Sequence, residues 1–328
     1  MRAKTGVGVW PAPMALVATL FGVTPAQASE ALVFAVAKLP LSMPIYVAEA
    51  KGYFSAEKLD LQIADCDIGR QCLDRMLKGQ AQLATSADSP IVFASLSGAK
   101  FSILATMATM HNFSKIIARR GLGIASVADL QDRRVGTFVG TSAHYFLEMS
   151  LLTAGVDPVR VKIVPVESSS VGPSLASGAV DALAVFEPFA SSVLNNQAQQ
   201  VRMLPSNGVQ TDTWNVVAAY ALHGQRDAEL QGLCRALDKA IQFIAESPEE
   251  ARAILRRRLA LDTPTVDGVL KDIDFELELR QSLITGLEGQ ARWAVRGGLA
   301  TGKTPNFLEY LRPEPLKHVR AGAVSIVR

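Results

Sequence analysis

The sequence predicts an α/β protein built as two lobes with a helical C-terminal tail. Short β-rich runs alternate with amphipathic helical runs from Leu32 onward, and a second stretch of the same kind begins near Val127. Regular alternation of this sort requires crossover connections, and hence a mainly parallel sheet in each unit. An apolar content of 49% over a chain of 328 residues suffices for two lobes with a sizeable core.

In the first unit LVFAVAKL reads as a strand, and PIYVAEAKGYFSAEKL as a helix opened by Pro44, a residue suited to a first helical position. DLQIAD is the next strand, QCLDRMLKG a helix, QLATS a third strand, and PIVFASLSG a helix ending at Gly98. FSILATMATM and SKIIAR follow as strands. The second unit runs ADLQDRR (short helix), VGTF (strand), SAHYFLEMSLLTAG (helix), VKIVPV (strand), VGPSLASG (helix), DALAVF (strand) and EPFASSVLNN (helix). WNVVAAYAL returns the chain as a strand. In the tail, Leu230, Leu233, Leu237, Ile241 and Ile244 share one helical face, and Ser247-Pro248-Glu249-Glu250 opens the next helix as a capping box. Crossings at residues 115–120 and 213–221 make the second unit an insertion within the first. The expected division is residues 29–117 with 218–328 as one lobe and 118–217 as the other.

Ahead of the first strand, Arg2 and Lys4 precede an apolar run from Met14 to Val23, followed by Ala26-Gln27-Ala28. This is the pattern of a signal peptide over residues 1–28, cleaved after Ala28, and it implies secretion. An apolar run of about ten residues is half of the roughly twenty that a membrane-crossing helix needs. The whole chain carries 33 basic and 31 acidic residues, and loss of Arg2 and Lys4 brings the balance to zero. Such a balance favours neither nucleic acid nor anionic lipid as a partner.

Three cysteines are present: Cys66, Cys72 and Cys234. In an oxidising compartment the stretch DCDIGRQC is a candidate for a Cys66 to Cys72 disulfide, worth ~2 kcal/mol by loop closure; two reduced, partly buried thiols are the alternative. Neither a second cysteine pair nor a histidine cluster accompanies them, so no metal site and no cofactor is expected. Cys234 falls on the apolar face of a helix and reads as a core residue.

One motif near the C-terminus invites a nucleotide reading. GGLATGKT, from Gly297 to Thr304, matches the phosphate-loop pattern, which needs a buried apolar strand directly before it. GQARWAVR stands there instead, a helical stretch with Arg292 and Arg296. Pro305 also disfavours the helical conformation that a metal-ligating Thr304 would need. The segment reads as a glycine-rich helix exit. The four histidines, His111, His144, His223 and His318, are scattered, and no serine stands in a nucleophile elbow, so no catalytic set is assigned and an enzyme is not expected.

Ligand capture finds better support. Two strand-to-helix junctions carry small polar residues: Ser86-Ala87-Asp88-Ser89-Pro90 and Gly140-Thr141-Ser142-Ala143-His144. In a parallel sheet both lie at the carboxyl ends of strands, where crevices form. Helix starts offer unpaired N–H groups and a partial positive charge, and hydroxyls of Ser89, Thr141 and Ser142 add donors for an anion. Ordinary N-capping explains either junction taken singly. At a third junction, AVFEPF, Glu187 is placed either to end the strand as a solvated charge or, at a cleft rim beside Phe186, to bind an amino or hydroxyl group of the same ligand. Trp214, opening the returning strand, is placed to wall the cleft or simply to pack.

These pieces carry a family resemblance. PIYVAEAKGYFSAEKLDLQI, LKGQAQLATSADSPIVFAS, ADLQDRRVGTFVGTSAHYFLEMSLLTAGVDP and ASGAVDALAVFEPF, within residues 32–190, resemble the substrate-binding proteins of ABC importers for sulfonates, taurine and nitrate. That group is also similar to binders of thiamine-pyrimidine precursors. The resemblance implies the class II periplasmic-binding-protein fold, with a ligand held between two α/β lobes. It implies a monomeric periplasmic receptor for a small-molecule anion or zwitterion, delivering to an ABC permease in the inner membrane. Carried onto matching positions, the ligand shell comprises Leu39, Ser42 and Met43 after the first strand, then Ser89, Thr141, Ser142, His144 and Glu187. The family's tryptophan before Glu-Pro is here Phe186. No cleft arginine stands out, so a monoanion or zwitterion is expected rather than a dianion. A pyrimidine-synthesising enzyme of similar fold and a sensory module are the alternative readings.

Overall fold

The computed structural model describes residues 1–8, 31–205 and 210–327. The apolar run of the leader and the cleavage site after Ala28 lie outside the described residues. Internal contacts group Ala31–Arg328 into one unit and Met1–Glu30 into another.

Two sheets organise the main unit. The first is ordered from six strands: β1 (Leu32–Ala37), β2 (Leu61–Cys66), β3 (Leu83–Ala87) and β4 (Phe101–His111), then two that return from the far half of the chain. The second holds β5 (Ser114–Arg119), β6 (Arg134–Thr137), β7 (Lys162–Pro165), β8 (Ala182–Phe186) and β9 (Val201–Leu204), in the order β7-β6-β8-β5-β9. The returning strands are β10 (Thr211–Ala219) and β11 (Ile273–Asp274), completing the order β11-β4-β10-β3-β1-β2.

The strands joined by helical crossovers are parallel, β1 with β2 and β3, and β6 with β7 and β8. The sheets are nevertheless mixed. β10 runs antiparallel to both β3 and β4, and β5 antiparallel to β8 and β9, because a strand arriving from the other sheet enters from the opposite end. β5 is bonded wholly within the second sheet and β10 wholly within the first. The chain thus belongs to the first sheet up to His111 and again from Thr211, and to the second from Ser114 to Leu204, whereas crossings were expected at 115–120 and 213–221. β9 has no counterpart among the expected strands. The expected helix from Pro44 is divided into Met43–Ala50 and Tyr53–Ala56.

Burial follows the two-residue period of the strands. In β5, Ile116 and Ala118 face a cluster with Phe146, Leu147 and Leu151 of the helix Ser142–Thr153, whereas Ile117 faces the opposite cluster with Leu175 and Val193. β1 is buried along nearly its whole length, as expected of a parallel strand covered on both faces. The helix Asp227–Glu246 packs its Leu230, Leu233 and Leu237 face onto the first half, with Cys234 buried among them. Among the described residues no helix is long and apolar enough to cross a membrane. GGLATGKT follows the helix Gln281–Arg296 rather than a strand, as its preceding residues imply.

Candidate functional site

A cavity opens where the carboxyl ends of both sheets face each other. The segment after β1 supplies Leu39 and Leu41, the turn after β2 supplies Ile68, Gly69 and Arg70, and the junction after β3 supplies Ala87 and Pro90. Met110 comes from the end of β4 and Phe113 from the crossover that follows it, Thr141 and Ser142 from the junction after β6, Phe186 from the end of β8, and Trp214 from β10. The walls are thus mostly aliphatic and aromatic. Phe186 is flanked by Phe113 and Phe138, with ring centroids 6.1 and 5.0 Å away.

Three helices begin at this cavity: Gly69–Leu77, Asp88–Leu96 and Ser142–Thr153. Their first N–H groups have no intrahelical partners, and each start carries a partial positive charge. Arg70 is the charged residue in the lining, which contains no carboxylate.

The expected site residues divide into two groups. Leu39, Thr141, Ser142 and Trp214 line the cavity. The Thr141 hydroxyl donates to Phe138 O at 2.7 Å, which orients the threonine at the helix start. Ser42 and Met43 are buried behind the wall. Ser42 acts on the site indirectly: its Oγ donates to Ala37 O at 2.9 Å and accepts from Trp214 Nε1 at 3.3 Å, fixing the indole. That indole lies over Gly69, where a Cβ would sit 2.6 Å from Trp214 Cη2. Glycine is required there for the close approach.

Ser89, His144 and Glu187 do not face the cavity. Ser89 Oγ is fully buried and donates to Gln290 Oε1 at 2.5 Å, so Ala87 and Pro90 line the site on either side of it. Glu187 is turned onto its own helix, accepting from Ser191 N at 2.9 Å. Burial pushes the Glu187 carboxyl up, and Phe186 stands at the cavity in its place. His144 borders an outer groove instead. Its Nδ1 accepts from Gly140 N at 3.4 Å and its Nε2 lies 3.2 Å from Glu148 Oε1. The Cys66–Cys72 bridge is not formed: both are free, buried thiols, and the Cys66 thiol donates to Ala64 O at 3.9 Å. Burial raises Cys72 well above the usual thiol range, which keeps it protonated.

Residues missed in the sequence reading surround these. Arg70 occupies a fourth strand-to-helix junction, after β2, beside the three singled out; that position was the available signal. Trp293, from the tail helix Gln281–Arg296, is the second. Its Nε1 donates to Glu148 Oε2 at 2.8 Å, and its ring meets Tyr145, His144 and Phe93 at centroid distances of 4.9, 5.6 and 6.0 Å. Burial raises Glu148, but the hydrogen bonds from His144 and Trp293 outweigh it and hold the carboxyl below its ordinary range. Trp293 and Phe93 belong to helices packed on the first sheet; His144, Tyr145 and Glu148 belong to a helix packed on the second.

A buried acid pair lies beside the site. Asp88 accepts from Thr213 N and Asn215 Nδ2, each at 3.2 Å, and from the Thr213 hydroxyl. Burial pushes it up to about 6, with these bonds opposing. Asp212, bonded by Gln210 Nε2, is pushed up to about 8 by burial and by the charge of Asp88. Among the described residues no group of His, Cys, Asp or Glu is arranged to hold a metal ion.

Set against known proteins, the chain belongs to the NMT1/THI5-like family, whose model matches residues 40–251. It is 24% identical over 202 residues to a putative aliphatic sulfonates-binding protein of Escherichia coli (strain K12), across 62% of this chain and 63% of that protein. Other curated relatives are spanned over about half their length. Among solved structures, the periplasmic aliphatic sulphonate binding protein SsuA from Escherichia coli superposes with a TM-score of 0.72 at 20% identity, covering 84% of this chain and 95% of that one. The alkanesulfonate-binding protein SsuA from Xanthomonas axonopodis pv. citri, bound to MOPS, gives 0.75 at 17% identity, covering 86% and 98%. The desulfurization enzyme DSZB shares the fold as well, with a TM-score of 0.62 at 15% identity, covering 88% and 99%. The fold is that of the periplasmic binding proteins.

Proposed function

We propose that this chain is the periplasmic solute-binding receptor of an ABC importer, and that it captures a small organic anion with an apolar body, of the alkane- or arylsulfonate class. One observation carries the reading: a cavity at the strand ends of both sheets combines apolar walls, helix starts, the Ser142 hydroxyl and one guanidinium, with no carboxylate in its lining. A sulfonate presents three acceptor oxygens to the donors, and its hydrocarbon part meets Leu41, Ile68, Phe113 and Trp214. An ammonium group, as in a zwitterion, would be buried without a partner, which costs several kcal/mol. Relatives described as sulfonate-binding support the same class.

The halves built on the two sheets act as lobes. A ligand touching both favours the closed arrangement through its differential affinity for the two states, and the closed monomer is then the form delivered to the permease. Export by the leader of residues 1–28 accounts for the compartment. Binding rather than turnover fits the side chains at hand: the lining holds neither cysteine nor histidine, and the Thr141 hydroxyl is bound to a backbone carbonyl. No cofactor or metal enters this reading.

Thermal unfolding with a series of alkanesulfonates of increasing chain length, beside taurine and nitrate, tests it. Stabilisation follows RT ln(1 + [L]/Kd), about 2.7 kcal/mol at a hundredfold excess over Kd. The shift should grow with chain length up to the cavity limit and be small for taurine and nitrate. Equal shifts for all, or none at millimolar concentration, would refute the assignment.

A further inference from the structure

Among the described residues, Arg70 is the charged residue in the lining of the inner cavity. It stands in the first turn of the helix Gly69–Leu77, on the first sheet, and it lines the inner cavity and two outer grooves at once. Its side chain is therefore the partition between the cavity and those grooves. Nη1 donates at 2.5 Å to the carbonyl of Val139, which lies in the β6 to helix junction of the second half, two residues before Thr141. The approach depends on the next residue. Gly140 has φ +75, and a Cβ there would lie 3.3 Å from Arg70 Nη1.

The guanidinium has five N–H donors in a planar fork and keeps its charge at any physiological pH. Among the described residues no carboxylate pairs with it. Asp74 and Glu167 line the outer grooves beside it without reaching ion-pair distance, and most of its donors are left unused by the protein. A neutral backbone carbonyl fixes the fork without cancelling the charge.

We infer that Arg70 is a strap across the cleft mouth, which ties the two halves together through Val139 and at the same time selects negatively charged ligands over neutral ones of the same shape. The selection rests on the proposed sulfonate-type reading of the cavity; the strap does not. A ligand anion reaching the helix starts meets the free edge of the fork, so the same residue bonds the ligand and the far half only when the cleft is closed. Because Arg70 is itself exposed, solvent screens its charge, and the selection is about tenfold rather than the hundredfold available to a buried charged hydrogen bond.

The test uses Arg70→Met, which retains the stem and removes charge and donors, and Arg70→Lys, which retains charge without the planar fork. Hexane-1-sulfonate and the neutral hexane-1-sulfonamide serve as probes in titration calorimetry, and small-angle X-ray scattering of the ligand-free proteins reads the separation of the halves. Arg70→Met should weaken the sulfonate about tenfold and the sulfonamide less than twofold. Arg70→Lys should recover most of the sulfonate affinity. Both variants should show a larger ligand-free radius of gyration than wild type. Equal losses for both probes overturn the selection, and superposable scattering curves overturn the strap. Wild-type protein that binds neither probe refutes the sulfonate reading and the selection with it, and scattering alone then decides the strap.

Discussion

The acid pair Asp88 and Asp212 makes the stability of this protein depend on pH in a way that a single substitution should abolish. Both carboxyls are about 97% and 96% removed from solvent, at 3% and 4% exposure. Asp212 is pushed from 3.8 to about 8, first by burial and then by Asp88. Its folded value is raised, so between about pH 4 and 8 the native protein holds a proton that the unfolded chain has released. Stability is then highest at the acid end of that window and falls as pH rises, by a factor of ten in the folding equilibrium, or about 1.4 kcal/mol, per pH unit. Above pH 8 the loss is complete and the slope ends. Asp88, pushed up to about 6, adds an equal slope between about pH 4 and 6 only. Asp212→Asn keeps the shape and the acceptor for Gln210 Nε2, is neutral throughout, and relieves Asp88 of its neighbour. The gap between variant and wild type should therefore widen by roughly 2 kcal/mol from pH 6 to pH 8. Urea unfolding followed by tryptophan fluorescence at pH 5, 6, 7 and 8 measures it. Other raised carboxyls, such as Glu187, occur in both proteins and cancel in the difference. Parallel stability curves for the two proteins would show that Asp212 is not the group that holds the proton.

Two further substitutions probe the walls and the contact between halves. Gly69→Ala drives a methyl to 2.6 Å from Trp214 Cη2 and 2.9 Å from Cζ3, and the indole is held from behind by Ser42, so calorimetry should show a loss of about 1–3 kcal/mol; an unchanged melting temperature would mean that the indole is free to move. Trp293→Phe keeps the ring contacts and deletes the donor to Glu148. A hydrogen bond to a charged group contributes about 1.5–3 kcal/mol, and this one forms only with the halves together, so the affinity for the best sulfonate should fall about tenfold in titration calorimetry. Unaltered affinity would remove Trp293 from the closure.

Much of the architecture was legible along the chain, because strand and helix periods and the glycine, proline and capping residues between them are local signals. LVFAVA, DALAVF and the Leu230–Leu233–Leu237 face announced their burial directly. The same signals placed Thr141 and Ser142 at a strand's carboxyl end, where the cavity is found. Direction and exchange between sheets were less legible: β10 reads as a strand, but nothing local tells it to run antiparallel between β3 and β4.

By itself the sequence determined the two α/β units, their order, and the strand-to-helix junctions from which any cleft would be built. Only the tertiary structure decided what each polar residue at those junctions does. Ser89 and Thr141 stand in similar local surroundings, yet Ser89 is taken by Gln290, 201 residues away, and Thr141 borders the cavity. Glu148 finds its donor in Trp293, 145 residues on, and Arg70 its acceptor in Val139, 69 residues on. A buried polar group must be paired, but its partner is chosen by which surfaces the fold brings within ~3 Å, and pairing at that range leaves no trace in local periodicity.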